Sequence, residues 1–319
     1  MKYSVGVDLG GTNIVAGLVN EDGKILRKSR LKTQVTEGFD RVVFRMAIAV
    51  KEVLEDVDLK NIVGVGVGSP GSIEPEEGIV YVSPNFPGWI NAPLGRTLSN
   101  KLNGIKVKIG NDANVITLAE YWKGAGRGKD NIVCLTLGTG IGSGVILNGK
   151  LYTGTNGLAP ELGHMSITEG GPVCGCGQHG CLETLASATA IVRRTKELLS
   201  TSHSNFQSNL REQHRTLPEN IEAKDVFKAD REGNSIAKQV IDEAIKYLAI
   251  GIKNIINIFN PQVVILTGGM ANAGDRLFVP LRQEVRKRVI ASFMDTYEIL
   301  PGELGDNAGI LGGAYLVKS

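Results

Sequence analysis

The chain has 319 residues, 42% of them hydrophobic, which is enough for a sizeable core in two domains or one large one. Charged residues make up 21% with a formal net charge of +2, so the balance implies no polyanionic partner such as nucleic acid. No apolar run reaches the roughly 18 residues of a membrane-spanning helix, and a strand begins within three residues of Met1 with no sign of a secretory leader; a cytoplasmic protein is expected.

YSVGVDL (3–9) is a β-branched run that ends in glycines. IVAGLVN (14–20), the turn EDG and KILRKSRL (24–31) read as strand, turn, strand. Residues 38–56 set Val42, Val43, Met46, Val50, Val53 and Leu54 on one face of a helix. IVGVGVGSPG (62–71) is a buried strand, and SPNFPGW (83–89) is a loop with little periodicity. KVKIG (106–110) is a further strand, which NDANVITLAEYWKG (111–124) continues as a helix. This is a doubly wound α/β start. The pattern then recurs. VGVDLGGTNIVAGLVN from Val5 matches VCLTLGTGIGSGVILN from Val133, with Leu9 on Leu137, Gly10 on Gly138 and Asn20 on Asn148. Both copies continue through a glycine turn to GKIL at 23 and GKLY at 149, which suggests two related domains. Beyond them, residues 182–199 are helical and STSHSNFQSN (200–209) is a polar loop or excursion. Residues 232–259 form one long helical pattern that Pro261 forbids from continuing. QVVILTGG (262–269) is a strand followed by glycines, and 275–289 and 307–317 are helices.

Three strands end in turns that can approach a ligand closely: DLGGTN (8–13), TLGTG (136–140) and LTGGM (266–270). Glycine leaves backbone N–H groups unobstructed, and such groups can hold phosphate oxygens. Thr12 and Thr139 add hydroxyl donors. There is no GxxxxGK[ST] motif, and GTGIGSG (138–144) is followed by a strand where a dinucleotide fingerprint needs a helix. Asp8 would repel phosphate unless a divalent cation or its waters lie between them; a plain turn-capping role is the alternative.

GND (110–112) sits where a strand meets a helix, the end of an α/β sheet at which ligands bind. Asp112 could accept the proton of an attacking hydroxyl, or it could simply cap the helix. Asn85, Glu161, His164 and Glu183 are side chains able to read vicinal hydroxyls of a sugar.

Cys174, Cys176 and Cys181 fall within eight residues, ten and more after His164. Cys₃His is a complete tetrahedral zinc set, with His179 a rival for the fourth position. Redox-active or disulfide-bonded cysteines remain open, although no CxxC is present. A closed set of four leaves no place for water, so the metal would shape the site and take no part in bond breaking.

DLGGTNIVAGLV (8–19), GNDAN (110–114), LGTGIGSGVILNGKLYTGTNGLAPELGHM (137–165) and CGCGQHGCLE (174–183) together resemble the ROK family, nearly end to end. Its members include bacterial glucokinases, other hexose and N-acetylhexosamine kinases, and sugar-responsive repressors. The resemblance implies an actin-like (ribonuclease H-like) ATPase fold of two α/β lobes with a cleft between. The expected lobes are 1–115, with helix 305–319 packing back on it, and 116–304. It implies ATP, Mg²⁺, a structural Zn²⁺ and a homodimer or homotetramer. It places the catalytic base at Asp112 and sugar ligands at Asn85, Asn111, Asp112, Glu161, His164 and Glu183. Phosphate turns fall at Gly10, Gly11 and Thr12, beside Asp8, and at Gly138, Thr139 and Gly140, while Gly268 and Gly269 fall near the adenosine. The zinc ligands fall on His164, Cys174, Cys176 and Cys181. The repressors carry a helix-turn-helix for which there is no room ahead of Val5. The activity implied is phosphorylation of glucose at its 6-hydroxyl; another hexose or N-acetylhexosamine is the alternative substrate, and a non-catalytic sugar sensor a remote one.

Overall fold

The computed structural model describes residues 1–201 and 220–318. The first meander is β1 (Tyr3–Leu9), β2 (Asn13–Asn20) and β3 (Ile25–Lys32), each antiparallel to the next. Its turns use the glycines and the Asp-Gly pair that the sequence supplies. Helix α1 (Phe39–Val53) buries Val42, Val43, Met46, Val50 and Val53, as the periodicity predicts. It ends short of residue 56 because Asp56 takes a left-handed φ of 61°.

Strand β4 (Ile62–Ser69) pairs parallel to β1, with Val7 opposite Val67. Next comes a small antiparallel sheet, β5 (Ser72–Glu74), β6 (Ile79–Val82) and β7 (Ile90–Ala92), which the sequence patterns did not reveal. Its strands are three or four residues long, too short for a periodic signal. The 83–89 loop joins β6 to β7. Phe86 and Trp89 anchor it in the core with ring centroids 4.5 Å apart, and Asn85, just before Phe86, stays exposed. After α2 (Leu94–Lys101), strand β8 (Val107–Asn111) completes the order β3-β2-β1-β4-β8, and α3 (Asp112–Lys123) follows it without a break.

The second five-stranded sheet has β9 (Ile132–Leu137), β10 (Ile141–Leu147), β11 (Lys150–Tyr152), β12 (Val263–Thr267) and β13 (Glu298–Pro301) in the order β11-β10-β9-β12-β13. Each sheet therefore runs third, second and first strand of a meander, then two later strands. The sequence repeat is a repeat of topology.

The helical stretch expected at 182–199 is two helices, α4 (Leu182–Ala186) and α5 (Ala188–Thr201). Ser187 between them is extended, and its Oγ accepts from Ala190 N at 3.1 Å, which starts α5 afresh. From residue 202 the expected polar loop lies outside the described residues. The pattern read as one helix from 232 starts later. Helix α6 (Ala223–Arg231) ends at a turn with Gly233 at φ 89°, and Asn234 then caps α7 (Ser235–Phe259). Helices α8 (Asp275–Arg286) and α9 (Ala308–Leu316) follow.

The chain divides into two compact units. One is Met1–Cys134, Gly144–Pro160 and Gly302–Ser319; the other is Leu135–Ser143 and Glu161–Pro301. In the first, α9 lies directly on the sheet. A Cβ on Gly6 would stand 1.7 Å from Ile310 O, and one on Gly66 1.9 Å from Gly313 O, so bare strand meets bare helix. Helix α3 packs along α9 in turn. That packing keeps α3 whole within the first unit, past the expected boundary at residue 115. Among the described residues no helix is long and apolar enough to cross a membrane.

Candidate active site

In the first unit the 8–13 turn is fastened from behind. Thr33 donates through Oγ1 to Gly10 O at 2.6 Å and through its N–H to Thr12 O at 3.0 Å, leaving Gly11 and Thr12 exposed at the tip. Asn85 stands over this tip: a Cβ on Gly11 would be 3.9 Å from Asn85 Nδ2. Asp8 ends β1 against the first turn of α9, where a Cβ on Gly309 would come within 2.6 Å of its Cγ. Burial pushes the Asp8 carboxyl above its ordinary value, and the nearby Asp306 carboxylate pushes the same way. A cation held here would relieve both effects, so the residues present fit a divalent ion.

Asn111 and Asp112 lie at the carboxyl end of β8. The helix cap is Asn111: its Oδ1 accepts from Ala113 N at 2.9 Å and Asn114 N at 3.3 Å, and its Nδ2 donates to Gly71 O at 3.1 Å. Asp112 is the first helical residue and half-buried, with Oδ1 accepting from Ala113 N at 2.8 Å. With Asn111 doing the capping, the Asp112 carboxylate is held at the N-terminus of α3.

In the second unit the 138–140 turn closes on itself, Gly138 N donating to Gly140 O at 3.0 Å. Ala188 N donates to Gly138 O at 2.9 Å, so the break between α4 and α5 has a purpose: it frees a helix-start N–H to hold the turn. Glu183 in α4 presses on the other side. Its Oε2 accepts from Ile141 N at 3.4 Å and would be 2.4 Å from a Cβ on Gly140. The turn carrying Glu161 and His164 is docked on β10, with Leu162 N donating to Ser143 Oγ at 3.0 Å. A Cβ on Gly163 would be 2.0 Å from Ile141 O, so only glycine permits that approach.

His164, Cys174, Cys176 and Cys181 each offer a ligand atom, all within 4.8 Å of one another. Cys176 Sγ and Cys181 Sγ are 3.7 Å apart, and His164 Nδ1 is 3.4 Å from Cys174 Sγ. A tetrahedral zinc with ordinary bond lengths has S···S edges of about 3.8 Å and N···S edges of about 3.6 Å. The donors fit such an ion and are too far apart for a disulfide, which needs sulfurs about 2.05 Å apart; all are free thiols. Glu183 Oε1 accepts from Cys174 Sγ at 3.0 Å and lies 3.4 Å from His164 Nδ1. His164 Nε2 faces Glu161 Oε2 at 3.9 Å. His179 turns away, its Nδ1 donating to Gly171 O at 3.1 Å, and is not in the group.

A cavity of about 560 Å³ opens beside Gly138 and Thr139. Its walls are Ala188, Thr189 and Val192 of α5; Ile221, Glu222, Lys224, Phe227 and Arg231 on and before α6; and Gly269, Met270 and Asn272 of the turn after β12. The size and the mixed lining suit a nucleoside-sized ligand. Gly268 does not line it. With φ 85°, it brings that turn onto β9, where a Cβ would be 2.6 Å from Leu137 O. The α5 and α6 lining residues carried no sequence signal, because their part in the cavity depends on how the helices pack. A helix over 182–199 was visible, but not which of its faces is open.

A family profile described as the ROK family matches residues 4–319. A glucokinase of Thermotoga maritima is 47% identical over 314 residues, 98% of this chain and 96% of that protein. A ROK family glucokinase from Streptomyces griseus, solved in complex with glucose and AMPPNP, shares the fold with a TM-score of 0.84 at 32% identity, covering 99% of each chain. A ROK hexokinase from Thermus thermophilus gives the same TM-score and identity over 98% of this chain and 97% of that one.

Proposed function

The chain belongs to the ROK family, and from that premise we infer that it transfers the terminal phosphoryl group of ATP to the 6-hydroxyl of glucose, giving glucose 6-phosphate and ADP. One observation carries the inference. Similarity to a glucokinase at 47% identity covers 98% of the chain, and every motif residue of the resemblance stands in this sequence.

Phosphoryl transfer asks for a positioned nucleophile and for donors to the charge on the phosphate oxygens. In this proposal Asp112 orients the sugar hydroxyl and takes its proton as the new bond forms. Asn111 supports it by capping α3 and contributes to the sugar pocket. Asn85, Glu161, His164 and Glu183 hold the remaining hydroxyls. The turns at Gly10, Gly11 and Thr12 and at Gly138, Thr139 and Gly140 receive phosphate oxygens. Gly269 and the cavity beside it receive the nucleoside, with Gly268 setting the turn. Bound Mg²⁺, facing Asp8, would neutralise phosphate charge. Zn²⁺ on His164, Cys174, Cys176 and Cys181 would fix the imidazole so that its Nε2 is presented to the sugar.

The finer arrangement belongs to the same proposal: the two units are the lobes of an actin-like fold. The shared strand order of the two sheets supports it. A cytoplasmic location and a homodimer or homotetramer belong to the same proposal, the latter open to sedimentation analysis.

A coupled kinase assay over glucose, mannose, fructose, N-acetylglucosamine and N-acetylmannosamine tests the substrate. Glucose should give the highest kcat/KM. A ten-fold preference for another of these sugars, on the order of 1.4 kcal/mol in transition-state binding, would overturn the choice of glucose.

A further inference from the structure

The cavity assigned to the nucleoside has two walls far apart in sequence. Helix α6 contributes Phe227 and Arg231, and the turn before α8 contributes Gly269 and Asn272. Arg276, in the first turn of α8, lines neither wall, yet it is tied to both. It lies three residues beyond the 269–273 turn, and its guanidinium grips α6 through Asp230. Nε and Nη2 donate to the two carboxylate oxygens of Asp230 at 2.5 and 3.3 Å. Nη2 also donates to Asp242 Oδ1 of α7 at 2.8 Å, and Lys238 Nζ holds the other Asp242 oxygen at 2.7 Å. The Asp230 side chain is only 5% exposed. It sits three residues after Phe227 and one before Arg231.

We propose that Arg276 is a positioning residue for the nucleotide: it fixes the rotation of α6 about its axis, and so keeps Phe227 and Arg231 facing Gly269 and Asn272 at the spacing of a nucleoside. The proposal rests on reading this cavity as the ATP site. Helix α6 has nine residues, too few to hold its orientation alone. A two-pronged guanidinium–carboxylate pair sets angle as well as distance, and an ammonium cannot. Without its fork, Asp230 would be a buried charge short of partners, and the cheapest relief is for α6 to turn it toward water. Phe227 and Arg231 lie within one turn of Asp230, so they would rotate with it and leave the cavity wall. No part of this chain of contacts reaches the proposed sugar ligands, so the effect should fall on nucleotide alone.

The test compares the parent, Arg276→Lys, and the paired variant Arg276→Met with Asp230→Leu, which replaces the ion pair by apolar contact. Calorimetry gives the Kd of AMPPNP and of glucose separately, and melting gives Tm. Arg276→Lys should weaken AMPPNP binding and raise KM for ATP by about ten-fold or more, with glucose affinity within about two-fold of the parent. The paired variant should recover Tm but not AMPPNP affinity, an outcome that a purely structural ion pair would not give. If Arg276→Lys fails to fold, the paired variant alone decides. AMPPNP affinity that stays within two-fold, or that follows Tm in both variants, overturns the proposal. A parent that binds glucose but no AMPPNP overturns the reading of the cavity, and the proposal with it.

Discussion

His164 Nδ1 and Cys174 Sγ stand 3.4 Å apart, the separation of two ligands on one tetrahedral ion. An ion bound there through Nδ1 and the cysteine sulfurs would leave Nε2 facing Glu161, a proposed sugar ligand, at 3.9 Å. The metal would thus act on the sugar only through the tautomer and tilt of one ring.

About one zinc per chain is therefore expected. Cys176 is the exposed member of the set, so Cys176→Ser disturbs packing least while removing a ligand. That variant should lose its metal, melt at a lower temperature and bind glucose about 10- to 100-fold more weakly. His179→Ala should keep both metal and affinity, since His179 points to Gly171 O. Elemental analysis after purification, paired with calorimetry, checks both. Full activity with well under half a zinc per chain would contradict the assignment, and metal loss in His179→Ala would exchange the two histidines.

Glu120 gives a prediction about stability. It is fully buried on α3 and accepts from Ala125 N at 2.9 Å, Glu303 N at 3.2 Å and Leu304 N at 3.1 Å. It therefore fastens the segment by which the chain returns to the first unit. Glu120→Ala leaves three backbone donors without their acceptor and should destabilise that unit by about 3 kcal/mol or more. Urea unfolding followed by tryptophan fluorescence is suitable, because Trp89 and Trp122 both lie in that unit. A loss below about 1 kcal/mol would mean that water replaces the carboxylate.

Asp8 ties stability to pH. Burial, with Asp306 adding to it, raises its folded pKa above the unfolded value. Such a carboxyl contributes stability below its unfolded pKa and loses that contribution as pH rises through the folded value. At neutral pH the ionised group is a cost to the unliganded protein. Asp8→Asn should therefore melt above the parent near pH 7, and the gap should shrink as pH falls to about 4. Turnover should fall at the same time, because the cation loses its facing carboxylate. Melting curves across this range test the sign; a gap that does not change with pH would remove the charge explanation.

Much of the fold was legible because strands and turns carry local signals. The two meanders share a spacing from Val5 and from Val133, and both sheets inherit it. The face of α1 was legible down to Val42, Met46 and Val53, because helical periodicity reports one buried side. The break at Ser187 was not. It exists so that Ala188 N can reach Gly138 O, a contact fifty residues away in sequence. The β5–β7 sheet was hidden for a different reason: its strands are too short for alternation to register, and the anchoring of Phe86 and Trp89 is tertiary. At the site, glycines, cysteines and carboxylates announce themselves by type and spacing. Phe227, Arg231 and Arg276 do not, because nothing about such residues on a helix distinguishes a cavity wall or its support from an ordinary surface.

Asp112 is where the proposed chemistry is most exposed to experiment. Asn111 already caps α3, so Asp112→Asn should leave the helix and the sugar pocket standing while removing the proton acceptor. The decisive measurement is turnover of ATP with glucose in a coupled assay, with calorimetric glucose binding on the same variant. Turnover is expected to fall by roughly 100-fold or more, and glucose Kd to stay within a few-fold of the parent. Turnover within about three-fold of the parent would contradict the assignment of Asp112 as base, and Glu161 and Glu183 would be the carboxylates left to test.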